Sequence, residues 1–255
     1  MGALSILTDF ELTNKTVLVA GASSGIGRAT VVALAGLGAK VIIGGRSIDR
    51  LTTLSNELGD QCIALDLDVT DGTSTETLLE RLPAAWRSIH GLVVCAGHDI
   101  GGRAAFHTAS ADDWAGIIDT NVTGTIRVCR AVIEGMLERE AGHIVTLGSV
   151  SGYKTYEGGS IYAASKFAIR AFTDSLCLDY QNTDLRVTEI LPGMVKTEFA
   201  MRRFHGDTNK AEAFYNTRPA NLTPEAVART IVWAMQQPSE VNISSIVVQP
   251  TRNKG

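Results

Sequence analysis

Tyr162 and Lys166 stand four residues apart in Y-A-A-S-K, so in a helix their side chains leave from one face. A phenol held beside an ammonium ionises more readily, which suits it to pass a proton near neutral pH. A surface Tyr–Lys contact is the plainer alternative. Ser149 precedes Tyr162 by thirteen residues and follows an apolar run, where its hydroxyl can donate to an oxygen on which charge develops. A second group is Gly21, Gly25 and Gly27 in G-A-S-S-G-I-G, with Ser23 and Ser24 inside the turn. Missing side chains permit a tight turn and bring backbone N–H groups to a phosphate at the positive end of a helix. Proton transfer and dinucleotide binding are the two chemistries these spacings point to. An ordinary structural turn is the competing reading of the glycines.

The elements that must position these groups alternate along the chain. TVLVA at 16–20 reads as a strand, the glycine turn follows, and RATVVALAGLG is helix-periodic. Gly38 ends that helix before a second strand, KVIIG, from Lys40; a helix near 49–58, a strand near 61–65 and a helix across 73–84 come next. GLVVCAG forms strand four, helical segments fall around 111–119 and 123–139, and HIVTLG forms strand five. A long helix spans about 160–180, RVTEILPG is strand six, a polar segment of mixed helix propensity runs over 196–218, Thr223-Pro224 starts a helix to about 237, and ISSIVV is strand seven. Apolar residues at consecutive strand positions are expected where both faces of a sheet carry helices. The pattern predicts an α/β fold: one Rossmann-like doubly wound domain over 1–255 with a seven-stranded, mostly parallel sheet. Segment 196–218 reads as a cover over the substrate rather than a linker. Ligands of such sheets bind beyond the carboxyl ends of the strands, where the glycine turn, CAGHDIGG, GSVSG and PGMVKT all fall.

The second strand ends in Gly44-Gly45-Arg46-Ser47 with no acidic residue, although a free ribose 2'-hydroxyl favours a carboxylate there. Arg46 suits a 2'-phosphate instead, which selects NADP(H) over NAD; a solvent-facing loop arginine is the alternative, as it is for Arg28. Asp68 suits an adenine amino group, and capping of the next helix by Asp71 is the competing use of the acidic run DLDVTD.

Composition excludes more than it selects. The 255 residues are 45% apolar and 20% charged, enough for a substantial core without disulfides or a structural metal. With 27 acidic against 23 basic residues the formal charge is −4, which offers no basic footprint for nucleic acid. No run reaches the roughly 18 apolar residues of a spanning helix, and the start MGALSILTDFELTNKT lacks the basic flank and apolar core of a signal peptide; a soluble, cytoplasmic protein is expected. Cys62, Cys95, Cys129 and Cys177 lie singly in apolar stretches and read as packed thiols, and the five histidines form no ligand-spaced array, so no metal is expected.

Taken together, GASSGIG, Ser149, YAASK and PGMVKT resemble the short-chain dehydrogenase/reductase family over essentially the whole chain. The resemblance implies that Tyr162 is the acid/base, that Ser149 polarises the substrate oxygen, and that Lys166 positions ribose while tuning the tyrosine. Asn121, in D-T-N-V-T-G, looks like the family asparagine that distorts a helix around a proton-relay water; a mid-helix amide with a local bond is the alternative. The resemblance further places Ile26 and the glycine turn at the pyrophosphate, Asp68 and Val69 at adenine, and Gly97 near the centre of the cofactor. Pro192, Gly193, Val195 and Thr197 fall near nicotinamide, with Thr197 at its carboxamide. Two segments depart from the family pattern. Ala20 replaces a threonine, and Val94-Cys95-Ala96-Gly97 lacks the asparagines of N-N-A-G, so local hydrogen bonding there must differ.

Substrate specificity is harder to read, because the pocket is assembled from distant loops. GHDIGGRAAF supplies a glycine-rich wall, and the 194–219 segment brings cationic and aromatic groups. Arg202 and Arg203 suggest a small anionic substrate, with Lys154 and Arg103 as weaker candidates; salt bridges or solvation are the alternative for each. From YEGGSIYAASKFAIRAFTDSL through LPGMVKTEF to VNISSIVVQP the chain looks like NADP-dependent 3-hydroxy acid or serine dehydrogenases. That likeness implies oxidation of small β-hydroxy acids or reduction of semialdehydes, tolerance of sulfonated aldehydes in related enzymes, and a homotetramer. A 3-oxoacyl reductase and a non-catalytic nucleotide-sensing protein are the other functions weighed.

Overall fold

The structure is a computed structural model that describes residues 12–101, 103–217 and 219–252. Most of the opening stretch read as lacking a signal peptide, Gly102 of the glycine-rich wall and Arg218 of the cover segment lie outside the described residues.

Seven strands make one sheet: β1 (Thr16–Ala20), β2 (Lys40–Gly45), β3 (Cys62–Asp66), β4 (Ile89–Val94), β5 (Gly142–Leu147), β6 (Leu185–Pro192) and β7 (Ser245–Val248). Their order is β3-β2-β1-β4-β5-β6-β7, and every pairing is parallel rather than mostly so. Helices α1 (Gly25–Ala35), α2 (Ile48–Leu58) and α9 (Pro224–Met235) pack one face, where Val19, Leu34, Ile43, Leu51 and Ile231 close a core. Helices α5 (Gly124–Glu138) and α6 (Ser160–Asp179) pack the other, around Leu18, Leu78, Leu92, Met136 and Ile144. The central strands are buried on both faces, which is why their sequences are continuously apolar; edge strand β7 alternates exposed and half-buried positions instead.

Chain order reverses between β1 and β4, and register brings Ala20 opposite Gly44 on one side and Val94 on the other. The loops after β1, β4, β5 and β6 therefore leave from one edge of the sheet at its switch point. Thr223 accepts from Ala226 N–H at 3.2 Å and Pro224 opens α9, as their sequence order indicates.

Two expectations need correction. The helix expected across 73–84 is only α3 (Gly72–Glu76), followed by turns. Asp71 does cap it, accepting from Thr73 N–H at 2.9 Å, but Thr75 and Thr77 turn their hydroxyls back onto main-chain carbonyls and Pro83 precludes continuation. The 196–218 segment holds two helices, α7 (Phe199–Arg203) and α8 (Thr208–Asn216), which pack on each other through Ala200, Ala211 and Tyr215. Among the described residues no helix is long and apolar enough to cross a membrane.

Candidate active site

A cleft of about 430 Å³ lies at the switch point and takes its floor from the glycine turn. Gly21 has a φ of 84°, and a Cβ there would stand 2.4 Å from the backbone nitrogen of Ala96. A Cβ on Gly27 would come 2.2 Å from the Gly21 carbonyl oxygen. Both obstacles are backbone, so only glycine closes this turn. Ser24, at the N-cap of α1, makes no side-chain cap bond and no acidic residue occupies the first turn. The first N–H groups of α1 are thus left to a ligand, at a turn whose residues Ser23, Ser24, Gly25 and Ile26 line the cleft. At the Ala20 and Cys95 departures the main-chain pairing is in place: Gly21 N–H donates to Gly44 O at 2.9 Å and Cys95 N–H to Ala20 O at 2.8 Å. Burial pushes the Cys95 thiol up to about 12, the behaviour of a packed thiol rather than a reactive one.

Tyr162, Lys166 and Ser149 meet on the far wall. The first two lie one turn apart on α6; Ser149 ends the loop after β5 and accepts from Ser151 N–H at 3.1 Å. Lys166 is 5% exposed and donates from Nζ to Leu147 O at 2.7 Å, with Nζ 5.8 Å from the Tyr162 ring centroid. Burial pulls its pKa down to about 8, and a buried Glu189 pushes it back up. Burial likewise raises the Tyr162 phenol, against which Arg203 and a hydrogen bond with Ser149 act.

Asn121 occupies the π-helical turn Asp119–Thr123, which joins α4 (Ala111–Ile118) to α5. Its amide clamps three segments. Oδ1 accepts from His98 N–H at 2.9 Å, while Nδ2 donates to His98 O and to Ser165 Oγ, each at 3.0 Å. The asparagine thus ties the loop after β4 to α6 beside Lys166. Gly97 lies against it: a Cβ there would stand 3.1 Å from Asn121 Oδ1.

Pro192, Gly193, Val195 and Thr197 line the cleft beyond β6. Tyr215 of α8 fixes Thr197, accepting from its N–H at 3.2 Å and donating to its carbonyl at 3.0 Å. Arg46 is exposed at the tip of β2 and acts electrostatically on Asp68, whose carboxylate accepts from Thr70 N–H at 2.9 Å. Those two and buried Val69 stand outside the main cleft wall, toward β2 and β3. Arg28 turns to Glu57 at 3.3 Å, a solvent-side pair.

Arg202 and Arg203 of α7 both line the cleft, in different surroundings. Arg202 is exposed and sits in the field of Arg46 and Arg50, on the β2 side. Arg203 is 4% exposed and forms a buried ion pair with Asp99. Its guanidinium lies 4.7 Å from the Phe214 ring centroid, 5.0 Å from Phe199 and 5.9 Å from Tyr162, which sets a cation at the inner wall of the cleft. Arg103 lies 4.6 Å over the Tyr156 ring, and Lys154 also faces the cleft. Sequence reasoning passed over Asp99 and Tyr156 and took Phe199 and Phe214 only as aromatic groups of the 194–219 segment; an acidic residue two positions after Gly97 was the available signal for Asp99.

The family profile described as short chain dehydrogenase matches residues 15–208. The chain is 43% identical over 235 residues to an NADP-dependent 3-hydroxy acid dehydrogenase of Shigella flexneri, covering 92% of this chain and 94% of that protein. It is 39% identical over 240 residues to sulfoacetaldehyde reductase 2 of Chromohalobacter salexigens, with 92% and 94% covered. The closed form of a serine dehydrogenase complexed with NADP+ superposes with a TM-score of 0.91 at 41% identity, covering 94% of this chain and 96% of that one. With the glycine turn, Ser149, Tyr162 and Lys166 gathered in one cleft, the chain belongs to the short-chain dehydrogenase family.

Proposed function

We propose that this protein is an NADP(H)-dependent oxidoreductase that interconverts a small carbonyl compound and its alcohol, the substrate carrying a carboxylate or sulfonate. The observation that carries it is the placement of Ser149, Tyr162 and Lys166 in the same cleft as the buried Arg203. Gly21, Ser23, Ser24, Gly25, Ile26 and Gly27 hold the pyrophosphate on the N-terminus of α1, because their backbone leaves room and donors there. Arg46 takes the 2'-phosphate, Asp68 and Val69 border adenine, and Gly97 passes close to the cofactor's centre. Pro192, Gly193, Val195 and Thr197 border the nicotinamide. When bound, the cofactor supplies the hydride and, oxidised, a positive ring near the phenol.

In the reducing direction the substrate oxygen sits between the Ser149 hydroxyl and the Tyr162 phenol. Ser149 donates a hydrogen bond to it and Tyr162 gives it a proton as charge develops. Lys166, charged and anchored on Leu147 O, stabilises the phenolate left behind and offers its remaining donors to a ribose hydroxyl. Asn121 keeps the loop after β4 in register with α6, so that Lys166 and Gly97 face one another. The 196–218 segment covers the substrate, within a single domain: Phe199 and Phe214 exclude water while Arg203, with Arg103 and Lys154 outside it, draws the anion.

A panel of malonate semialdehyde, sulfoacetaldehyde, succinate semialdehyde, acetoacetyl esters and neutral aldehydes tests this by NADPH oxidation. The anionic aldehydes are expected to show the highest kcat/KM; equal turnover of neutral aldehydes sinks the anionic pocket, and preference for the acyl esters favours a 3-oxoacyl reductase. Cofactor choice has its own test. Arg46→Ala is expected to cut the NADPH to NADH ratio of kcat/KM by roughly 10- to 100-fold, the worth of one hydrogen-bonded charge. An unchanged ratio rejects Arg46 as the selector.

A homotetramer fits two exposed apolar faces, Ile126, Phe167 and Leu178 on the α5–α6 layer and Trp233 and Val247 at α9 and β7. Light scattering decides this: a tetramer's mass supports the reading and a monomer's mass ends it.

A further inference from the structure

Glu189 is a buried carboxylate that the proton-transfer scheme leaves unused. It lies on β6, is 1% exposed, and among the described residues its Oε1 accepts no hydrogen bond. A lone buried carboxylate is costly and survives where a charge opposes it. Gly148 makes its position possible, since a Cβ there would stand 2.1 Å from Oε1. Gly148 separates Leu147, whose carbonyl anchors the Lys166 ammonium, from Ser149. The carboxylate therefore comes up under the very loop that carries the serine, on the side of the sheet packed by α6.

We propose that Glu189 is a positioning residue for the proton transfer: its carboxylate is the buried counter-charge that keeps Lys166 an ammonium beside Tyr162. Among the described residues three charged groups act on Glu189, all from α6. Lys166 is buried, whereas Arg170 and Asp174 face solvent and pair with each other at 3.9 Å, so their charges largely offset. On its other side Lys166 meets Cys95, a neutral thiol at working pH, and Tyr162. Among the described residues no other carboxylate acts on Lys166. Burial pushes Glu189 up to about 7 and pulls Lys166 down to about 8, so each supports the charge of the other across neutral pH.

The sign of the effect follows. Without the carboxylate, desolvation of Lys166 is unopposed and its pKa falls further. The ammonium, and with it Tyr162's support, is then lost at lower pH. The alkaline limb of kcat/KM for carbonyl reduction moves toward acid.

The test is that profile in the full chain with NADPH, for Glu189→Gln, Glu189→Leu and Glu189→Asp. Gln and Leu are expected to shift the alkaline limb acidward by about one pH unit or more, costing roughly fivefold or more at pH 8 and little at pH 6. Asp keeps the charge and is expected to hold the limb within about half a unit of wild type. Leu removes the carboxylate and its unpaired Oε1 outright and carries the test should Gln not fold. A limb unmoved in whichever neutral variant folds overturns the proposal, even if that variant melts at a different temperature, because a packing role alone does not move it. The inference rests on Lys166 acting through Tyr162. Normal turnover in Tyr162→Phe ends that reading, whereas an inactive Tyr162→Phe with unmoved Glu189 limbs ends only this one.

Discussion

Tyr162→Phe is expected to lower kcat for NADPH-dependent carbonyl reduction by at least about 10³-fold while leaving NADPH binding within about twofold of wild type. Phenylalanine keeps the ring that packs edge-on to Phe199 at 5.6 Å, so the wall of the cleft survives and only the exchangeable proton goes. The glycine turn proposed to hold the pyrophosphate, Gly21 to Gly27, belongs to a separate loop and keeps its backbone. The hydroxyl of Ser149 remains to polarise the substrate oxygen, but it has no ammonium beside it to stabilise an alkoxide left on proton release. Fluorescence titration with NADPH separates binding from turnover. Turnover within tenfold of wild type with binding intact rejects the acid/base role.

Arg203→Leu is expected to have the largest effect on stability. The arginine and Asp99 are 4% and 2% exposed, and removing one partner of a buried pair leaves the other charge without compensation, at a cost of about 3–5 kcal/mol. For a chain of this length that lowers Tm by roughly 6–20 °C. The pH dependence has a definite sign. Burial already raises Asp99 and Arg203 opposes the rise, so the variant's Asp99 titrates higher still. A folded-state pKa above the unfolded one favours folding most where the group is protonated, so the deficit relative to wild type shrinks as pH falls toward 5 and widens toward 8. Asp99→Asn combined with Arg203→Leu is expected to recover most of the loss at every pH. In activity, Arg203→Leu is expected to raise KM for the anionic aldehydes at least about tenfold more than for neutral aldehydes. A Tm loss under about 2 °C shows that the pair contributes little.

The sheet was legible because its strands are short, β-branched and apolar on consecutive positions, and the residues that border the cleft on α1 and α6 were legible because their spacing is local. Gly21 to Gly27 occupy one turn, and Tyr162 and Lys166 share one helical face. Ser149 needed only the preceding strand. Hydrophobic periodicity failed at 73–84, where threonine hydroxyls competed for main-chain carbonyls that an uninterrupted helix would have used. The pocket's inner wall was out of reach for a different reason. Asp99 and Arg203 come from separate loops, and no local spacing joins them. Adjacent helical residues point about 100° apart, and only the packing of α7 on α8 decides that Arg203 is the buried one while Arg202 borders the cleft from an exposed position. Glu189 was hidden in plain view inside an apolar strand, since nothing in RVTEILPG shows that Gly148 leaves it room.

The central claim is that one cleft places a substrate oxygen against Tyr162 and Ser149 and its anionic group against Arg203. A crystal structure of the full chain with NADP+ and a small 3-hydroxy acid tests it most directly. The expected complex has the hydroxyl oxygen within hydrogen-bond distance of both the Tyr162 phenol and Ser149 Oγ, the 2'-phosphate at Arg46, and the carboxylate toward Arg203 and Arg103. A substrate bound with its hydroxyl away from Tyr162, or with its carboxylate facing solvent past Arg202, contradicts it.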